Sequence, residues 1–259
     1  MYWSKVKTVL IFFLIITNAI LLMNLYSNNK DTLFLKKEVI SSTVSILEKN
    51  GVKIDNSIIP KRIVTLKQFE ADNIIKSYDE FSQAVLGEGY EKITNTHYQS
   101  DKGYIDFSGD RFNISLKSDK GIPASKEQVL EFFKEFNLEL TDFEYRNGQA
   151  FKKNGKYDIF DCKITFQKSG DTLNISGVWY EKNKNAIYYG SEIKPVTSAL
   201  IDFLSDPMKP EEACSITNIK LGYMLSETAS YHKSIVPMPV WELELSNKQK
   251  IYISARANV

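Results

Sequence analysis

Two histidines, two cysteines and a few closely spaced acids are the residues of this 259-residue chain whose types could do chemistry. His97 and His232 have no His-x-x-x-His or Glu-x-x-His neighbour, the spacing that would set two ligands on one helix face, so a histidine metal site has little support. Both read as exposed or hydrogen-bonded polar residues. Asp158 and Asp161 lie three apart in a strand-like run, which sends them to opposite faces and argues against a shared general acid/base site. Cys162 and Cys214 are too few for a disulfide scaffold or a four-thiolate zinc site. They leave a single bridge or buried thiols. Cys162 alternates with Phe160, Ile164 and Phe166 onto one face and reads as a small core residue. There is no Gly-x-Ser-x-Gly elbow, no Walker loop and no Gly-x-Gly-x-x-Gly; Gly87-Glu88-Gly89 reads as a helix stop. Asn113-Ile-Ser and Asn174-Ile-Ser match the glycosylation acceptor pattern, but both sit inside strand patterns rather than loops. No catalytic, metal or cofactor-binding residue is expected.

The charge balance excludes a further class. Residues 1–30 hold Lys5, Lys7 and Lys30 and no acid, so the rest carries 30 basic against 32 acidic residues. A body with no basic excess cannot neutralise a phosphate backbone, and no nucleic-acid partner is expected.

The elements begin with a charge-free run from Thr8 to Tyr26, 19 residues, twelve of them Val, Leu, Ile or Phe. As a helix it would span roughly 28 Å, close to the ~30 Å hydrocarbon core of a bilayer. A secretory signal would need a shorter apolar stretch and a small-residue cleavage site. The exit Leu22-Met23-Asn24-Leu25-Tyr26-Ser27 has no Ala-x-Ala pattern, so the expectation is a retained transmembrane anchor. Lys5 and Lys7 put its N-terminus in the cytoplasm and the C-terminal body outside it, single-pass in the cell membrane. Trp3, Lys5, Lys7 and Tyr26 flank the anchor. Asn18 lies near its middle with Leu14, Leu21 and Leu22 on the same face, a face suited to contact with a partner helix.

Beyond the anchor, apolar spacing predicts helices over 32–50, Ala71–Leu86, from a Ser125 cap with Gln128 as capping-box partner, and over Val196–Leu204. Strand-like runs cover Val52–Ile54, Arg62–Phe69, Glu91–Gln99, Gly103–Ser108, Arg111–Lys117, 141–151, 157–168, 172–182, 185–194, Ile216–Ser226, Val240–Ser246 and Lys250–Ala255. Short polar turns between them predict antiparallel meanders. The fold class is α+β: the transmembrane helix of residues 1–30, then two lobes of antiparallel sheet with helices packed on one face. Gly121-Ile122-Pro123-Ala124 marks the expected boundary between a first lobe, 31–120, and a second, 121–259. The aromatics, 12% of the chain, cluster in the second lobe at core-like spacing.

Trp3-Ser4-Lys5-Val6-Lys7-Thr8, running into Val9-Leu10-Ile11-Phe12, resembles the opening of the YycI (WalI) family, with Tyr2 where an acidic residue is expected. Pro239-Val240-Trp241-Glu242-Leu243 and Ile251-Tyr252-Ile253-Ser254-Ala255 resemble the last hairpin of that family, an ending also seen in PepSY-like modules. The ends carry the resemblance; the middle fits by length and element order only. It implies a non-enzymatic accessory regulator of the WalK/WalR two-component system of low-GC Gram-positive bacteria, with no cofactor. Its implied partners are the sensor histidine kinase, met through membrane helices, and a YycH-like sister, with homo- or hetero-dimers as possible assemblies. The alternative is an extracytoplasmic PepSY-type binding or inhibitory module for a protease or cell-wall enzyme.

Overall fold

A computed structural model describes residues 6–8, 10–21, 34–183, 190–225 and 234–257. They form an α+β protein with few helices and large, mainly antiparallel sheet. The chain divides into two compact units, each assembled from separated stretches.

The first unit comprises Met1–Thr65, Glu192–Ile219 and Leu243–Ile253. Its helix α1 (Lys37–Lys49) buries Ile40, Thr43, Val44 and Leu47 and ends at Asn50, with Gly51 at φ +76° supplying the left-handed turn. The chain turns back into β1 (Val52–Ile54). That strand lies parallel to the start of β14 (Cys214–Met224), Val52 opposite Cys214 and Ile54 opposite Ile216. Helix α4 (Val196–Phe203), which packs against α1, buries Val196, Ala199, Leu200 and Phe203. The end of β16 (Met238–Leu245) and β17 (Lys250–Ser254) close the unit through a tight turn, Leu245 N donating to Gln249 O at 2.9 Å.

The second unit holds Leu66–Ser191, Lys220–Glu242 and Ser254–Val259. Its elements in chain order are β2 (Thr65–Lys67, which starts at the edge of the first unit), β3 (Ala71–Asn73), α2 (Tyr78–Leu86), β4 (Glu91–Lys92), β5 (His97–Ser100), β6 (Gly103–Ser108), β7 (Arg111–Lys117), α3 (Lys126–Lys134), β8 (Phe143–Arg146), β9 (Gln149–Asn154), β10 (Tyr157–Ser169), β11 (Thr172–Val178), β12 (Tyr180–Lys182), β13 (Gly190–Glu192) and β15 (Ser234–Ile235). The main sheet runs β4-β5-β6-β7-β11-β10, with β9 and β8 following β10. It is continuous through residues 118–124, because β7 pairs with β11 from Arg111–Val178 to Lys117–Thr172. One face is apolar: Tyr98, Ile105, Phe107, Phe112, Ile114, Ile164, Phe166, Leu173 and Ile175 are buried. Helix α2 meets it through Phe81, which lies 5.8 Å from Phe107 and 5.6 Å from Phe112. Helix α3 meets it through Phe133, 6.1 Å from Phe166. Helices on one face of an antiparallel sheet leave the other face to solvent.

Several expected elements are shorter or broken. The expected helix from Ala71 is a strand, Ala71–Asn73, paired with β12 and β15, before α2 starts at Tyr78. Asn73 breaks the helical register by taking Ile75 N on its side chain (2.8 Å), and Ser77 caps α2. Glu91–Gln99 is split by a turn in which Thr94 Oγ1 accepts from the backbone of Thr96 and His97. Only Thr65–Lys67 of the expected Arg62–Phe69 strand is extended sheet. Asn147-Gly148 turns 141–151 into the β8–β9 hairpin, and 172–182 breaks at Trp179. The pairing of β10 with β9 shifts between Asp158 and Lys163. This bulge turns Ile159 inward and leaves Phe160 half-buried, so Phe160 does not share the buried face of Cys162. Not all pairing is antiparallel: β1 runs parallel to β14, and β10 to β14 at Ile159–Tyr223.

At the N-terminus residues 10–21 are helical, about 18 Å of helix. Among the described residues no helix is long and apolar enough to cross a membrane. Val9 and residues 22–26 of the expected span lie outside the described residues, as do Trp3, Lys5, Leu22 and the loop with His232.

Candidate functional site

Of the predicted partner-helix residues, Leu14, Asn18 and Leu21 lie in the described helix, and all three are exposed. Helical spacing of three and four sets them on one side. Thr17, next to Asn18, turns its hydroxyl back on Phe13 O (2.9 Å) and Leu14 O (3.1 Å), so it presents no donor outward. Asn18 therefore offers the polar contact of this stretch. The exposure is not confined to one stripe. Nine large apolar side chains between Leu10 and Leu21 are uncovered, from Ile16 at 42% to Phe13 at 69%.

In the second unit the sheet gathers polar groups that the sequence did not single out. Lys152 on β9 has a side chain only 2% exposed. Its ammonium donates to Glu181 Oε2 (2.5 Å), Thr141 O (2.6 Å) and Thr141 Oγ1 (3.2 Å). Glu181 also accepts from Thr141 N, Thr141 Oγ1 and Trp179 Nε1. Each charge meets several partners, the condition for holding an ion pair inside a protein. The network ties the 141 loop, β9 and β12 together. It leaves no ammonium or carboxylate lone for proton transfer.

Among the described residues, Asp161 is the most perturbed acid. Both of its oxygens take the Leu225 N–H, at 2.9 and 3.0 Å, where β14 has just ended. Burial raises its carboxyl from the ordinary 3.8 to about 6, against the lowering effect of the Leu225 N–H. Asp158 has a separate partner, Lys153 at 3.2 Å, so the two acids form no dyad. Burial pushes the Cys162 thiol up, and its sulfur accepts from Tyr180 N at 3.3 Å. Both cysteines are free. Cys162 is a fully buried core residue, as its spacing suggested, and not an activated nucleophile.

His97 donates from Nδ1 to Asp106 Oδ1 at 2.6 Å across the β5–β6 pair, with Tyr104 5.8 Å away on the same face. The histidine is thus a hydrogen-bonded polar residue in a strand, as expected. Beside it in sequence, Tyr98 on the inner face donates to Asp79 (2.9 Å), and Lys92 pairs with the same acid at 3.0 Å. The Lys92 contact, then that of Tyr98, holds the Asp79 carboxyl below its usual range. A cavity of about 380 Å³ lies beside α3, lined by Lys120, Ile122, Pro123, Gln128, Phe132 and Glu135. Gln128 is committed there to Ala124 N (2.7 Å) and Lys120 to Glu135 (2.7 Å). No group of three or more metal-ligating side chains is brought together among the described residues.

No family profile and no curated protein matches the chain. Among solved structures it is similar to an uncharacterized protein from Eubacterium rectale, at 12% identity over 78% of this chain and 86% of that one, with a TM-score of 0.38.

Proposed function

We propose that the chain is a single-pass membrane protein that regulates a sensor histidine kinase through its N-terminal helix, alongside a YycH-like sister, with the body after residue 30 outside the cytoplasm. One observation carries this reading: the nine uncovered apolar side chains between Leu10 and Leu21. Burying a large aliphatic or aromatic side chain is worth about 1.5–3 kcal/mol, so nine represent more than ~10 kcal/mol. That rivals the whole stability of a domain, about 5–15 kcal/mol. A helix apolar on every side finds its place in lipid or among other helices. Leu22, Met23 and Leu25 extend the charge-free run toward membrane thickness.

The kinase enters through the resemblance of Trp3–Thr8 to the YycI opening. Regulation needs no reacting group. It needs a helix that contacts two states of the kinase with different affinity, since a partner shifts an equilibrium only by that difference. Asn18, with Leu14 and Leu21, is where a neighbouring helix would find a hydrogen bond inside the bilayer.

The test replaces Thr8–Tyr26 with an unrelated spanning helix, and separately deletes the chain, while transcription of the kinase regulon is followed. Deletion is expected to change regulon output and the helix swap to reproduce that change. If neither alters transcription, the reading fails. If deletion acts but the swap does not, the soluble body is the working part.

A further inference from the structure

The solvent face of the main sheet in the second unit carries an unusual row. Reading the pairings from strand to strand, His97 lies opposite Asp106, Asp106 opposite Asn113, and Asn113 opposite Ser176. Ser176 lies opposite Thr165, Thr165 opposite Gln149, and Gln149 opposite Arg146. Seven strands thus place seven polar side chains in one line, roughly 29 Å long at about 4.8 Å per strand. A second row runs beside it: Gln99, Tyr104, Ser115, Asn174 and Gln167. Two identical tripeptides build its centre. Asn113-Ile-Ser and Asn174-Ile-Ser pair antiparallel, so each amide stands opposite a hydroxyl.

A solvated sheet face is ordinary, and lysine and glutamate ordinarily populate it. This chain is 25% charged, yet the nine neighbouring positions from Gln99 and Tyr104 to Gln149 and Gln167 carry no charge. Charge returns at the margins, with Asp106 and Arg146 in the first row itself and Arg111, Lys117 and Lys163 beside the two rows. Many of the polar groups are also uncommitted. Ser115 donates to Asn174 (2.6 Å) and Gln149 to Thr165 (3.3 Å). The side chains of Gln99, Tyr104, Asn113, Gln167 and Ser176 make no hydrogen bond among the described residues. Tyr104 is 43% exposed and offers an aromatic ring and a hydroxyl together.

We infer that this face binds a linear, uncharged, extended β-linked glycan carrying hydroxyl or acetamido groups. Amides and hydroxyls both donate and accept, which suits a ligand whose groups do the same. An array without net charge gives a charged polymer no electrostatic reward, whereas a protein interface of this size would be built around an apolar and aromatic centre. Here that centre is Asn113, Asn174 and Ser176, with Ser115 buried between them and bonded to Asn174. A pitch of about 4.8 Å between hydrogen-bonding columns is close to the length of one sugar unit in an extended chain, and Tyr104 can stack on a pyranose ring.

The inference stands apart from the membrane reading, because the sheet would bind glycan in whichever compartment the chain resides. The test is calorimetric titration of the full-length chain in detergent with chitohexaose and cellohexaose, and with maltohexaose as a coiled α-linked control. A β-linked hexaose is expected to bind in the micromolar-to-millimolar range and maltohexaose more weakly. Tyr104→Ala and Gln167→Lys should each weaken binding by at least about tenfold, and Lys53→Ala in the first unit should leave it unchanged. All three variants should keep the wild-type melting temperature. Absence of heat with both β-linked sugars at millimolar concentration would overturn the proposal. So would equal binding of maltohexaose, or undiminished binding by both face variants. Protection of the face from hydrogen exchange by a protein partner, with no sugar bound, would make it a protein interface instead.

Discussion

Asp161 shows how one side chain can set a pH dependence. Its carboxyl keeps a proton up to about 6 when folded and releases it near 3.8 when unfolded. The folded state therefore binds more protons between those values. The stabilisation is complete below 3.8 and is lost as pH rises through 6. Two pK units correspond to about 3 kcal/mol at most. Asp161→Asn keeps an acceptor for Leu225 N and removes the titration. Urea denaturation should show the stability difference between about pH 4 and about pH 7 shrinking by up to that amount in the variant. An unchanged difference would mean that another group sets it. The Lys152–Glu181 pair makes a second prediction, because its partners are unequally placed. Glu181 is 22% exposed and, without Lys152, keeps donors from Thr141 and Trp179. Lys152 is 2% exposed and depends on Glu181 for its counter-charge. Glu181→Gln should thus cost about 3–5 kcal/mol, and Lys152→Met about 1–2 kcal/mol. Chemical denaturation of both variants checks the order; the reverse order would refute the asymmetry. None of this was legible in the sequence, where Lys152, Glu181 and Thr141 are ordinary polar residues far apart along the chain. The spacing of Asp158, Asp161 and His97, likewise, could not name the partners they have, Lys153, Leu225 N and Asp106.

At the scale of elements, sequence signals succeeded where a local cause acts. Ser125 and Gln128 start α3 by capping, and Gly87, at φ +84°, ends α2. The meander β6–β7 has the predicted bounds because its turn residues and its alternation agree. Signals failed where pairing decides. Ala71–Asn73 has helix-compatible residues and becomes a strand because β12 and β15 flank it. Neither lies near it in the chain, so no window of residues could show this. Val39 and Ile46 fit the apolar period of α1 yet stay 44% and 43% exposed, since the spacing tells which side is apolar but not how much of it is covered. Close strand approach was also invisible. At Gly177 an added Cβ would lie 2.3 Å from Lys163 O and 2.9 Å from Ile164 Cα, both backbone atoms of the adjacent strand. Gly177→Ala should part β10 from β11 and destabilise by about 1–3 kcal/mol. At Gly121 the corresponding space is empty, and Gly121→Ala should stay within about 0.5 kcal/mol of wild type. Thermal denaturation of the pair checks this; equal effects would remove the steric argument.

At the scale of the whole molecule, the sequence made its largest claim at the N-terminus. Composition is legible there because a charge-free run needs no partner strand to be recognised. The arrangement of the body was not legible, since each unit draws on separated stretches of chain that only long-range pairing brings together. The membrane reading makes a directional prediction about the chain in its cell. If residues after 30 lie outside the cytoplasm, Lys248→Cys should react in intact cells with a membrane-impermeant maleimide, because that side chain is 82% exposed. Lys7→Cys, on the other side of the apolar run, should react only after the membrane is opened. The background must carry Cys214→Ser, since Cys214 is partly exposed, whereas Cys162 is fully buried and stays silent. A thiol at 7 labelled from outside would reverse the topology assigned from Lys5 and Lys7. Protection of both positions until lysis would place the whole body in the cytoplasm and end the kinase reading in its extracytoplasmic form. Labelling at 248 alone would leave the apolar helix as the connection between an external body and anything it controls within.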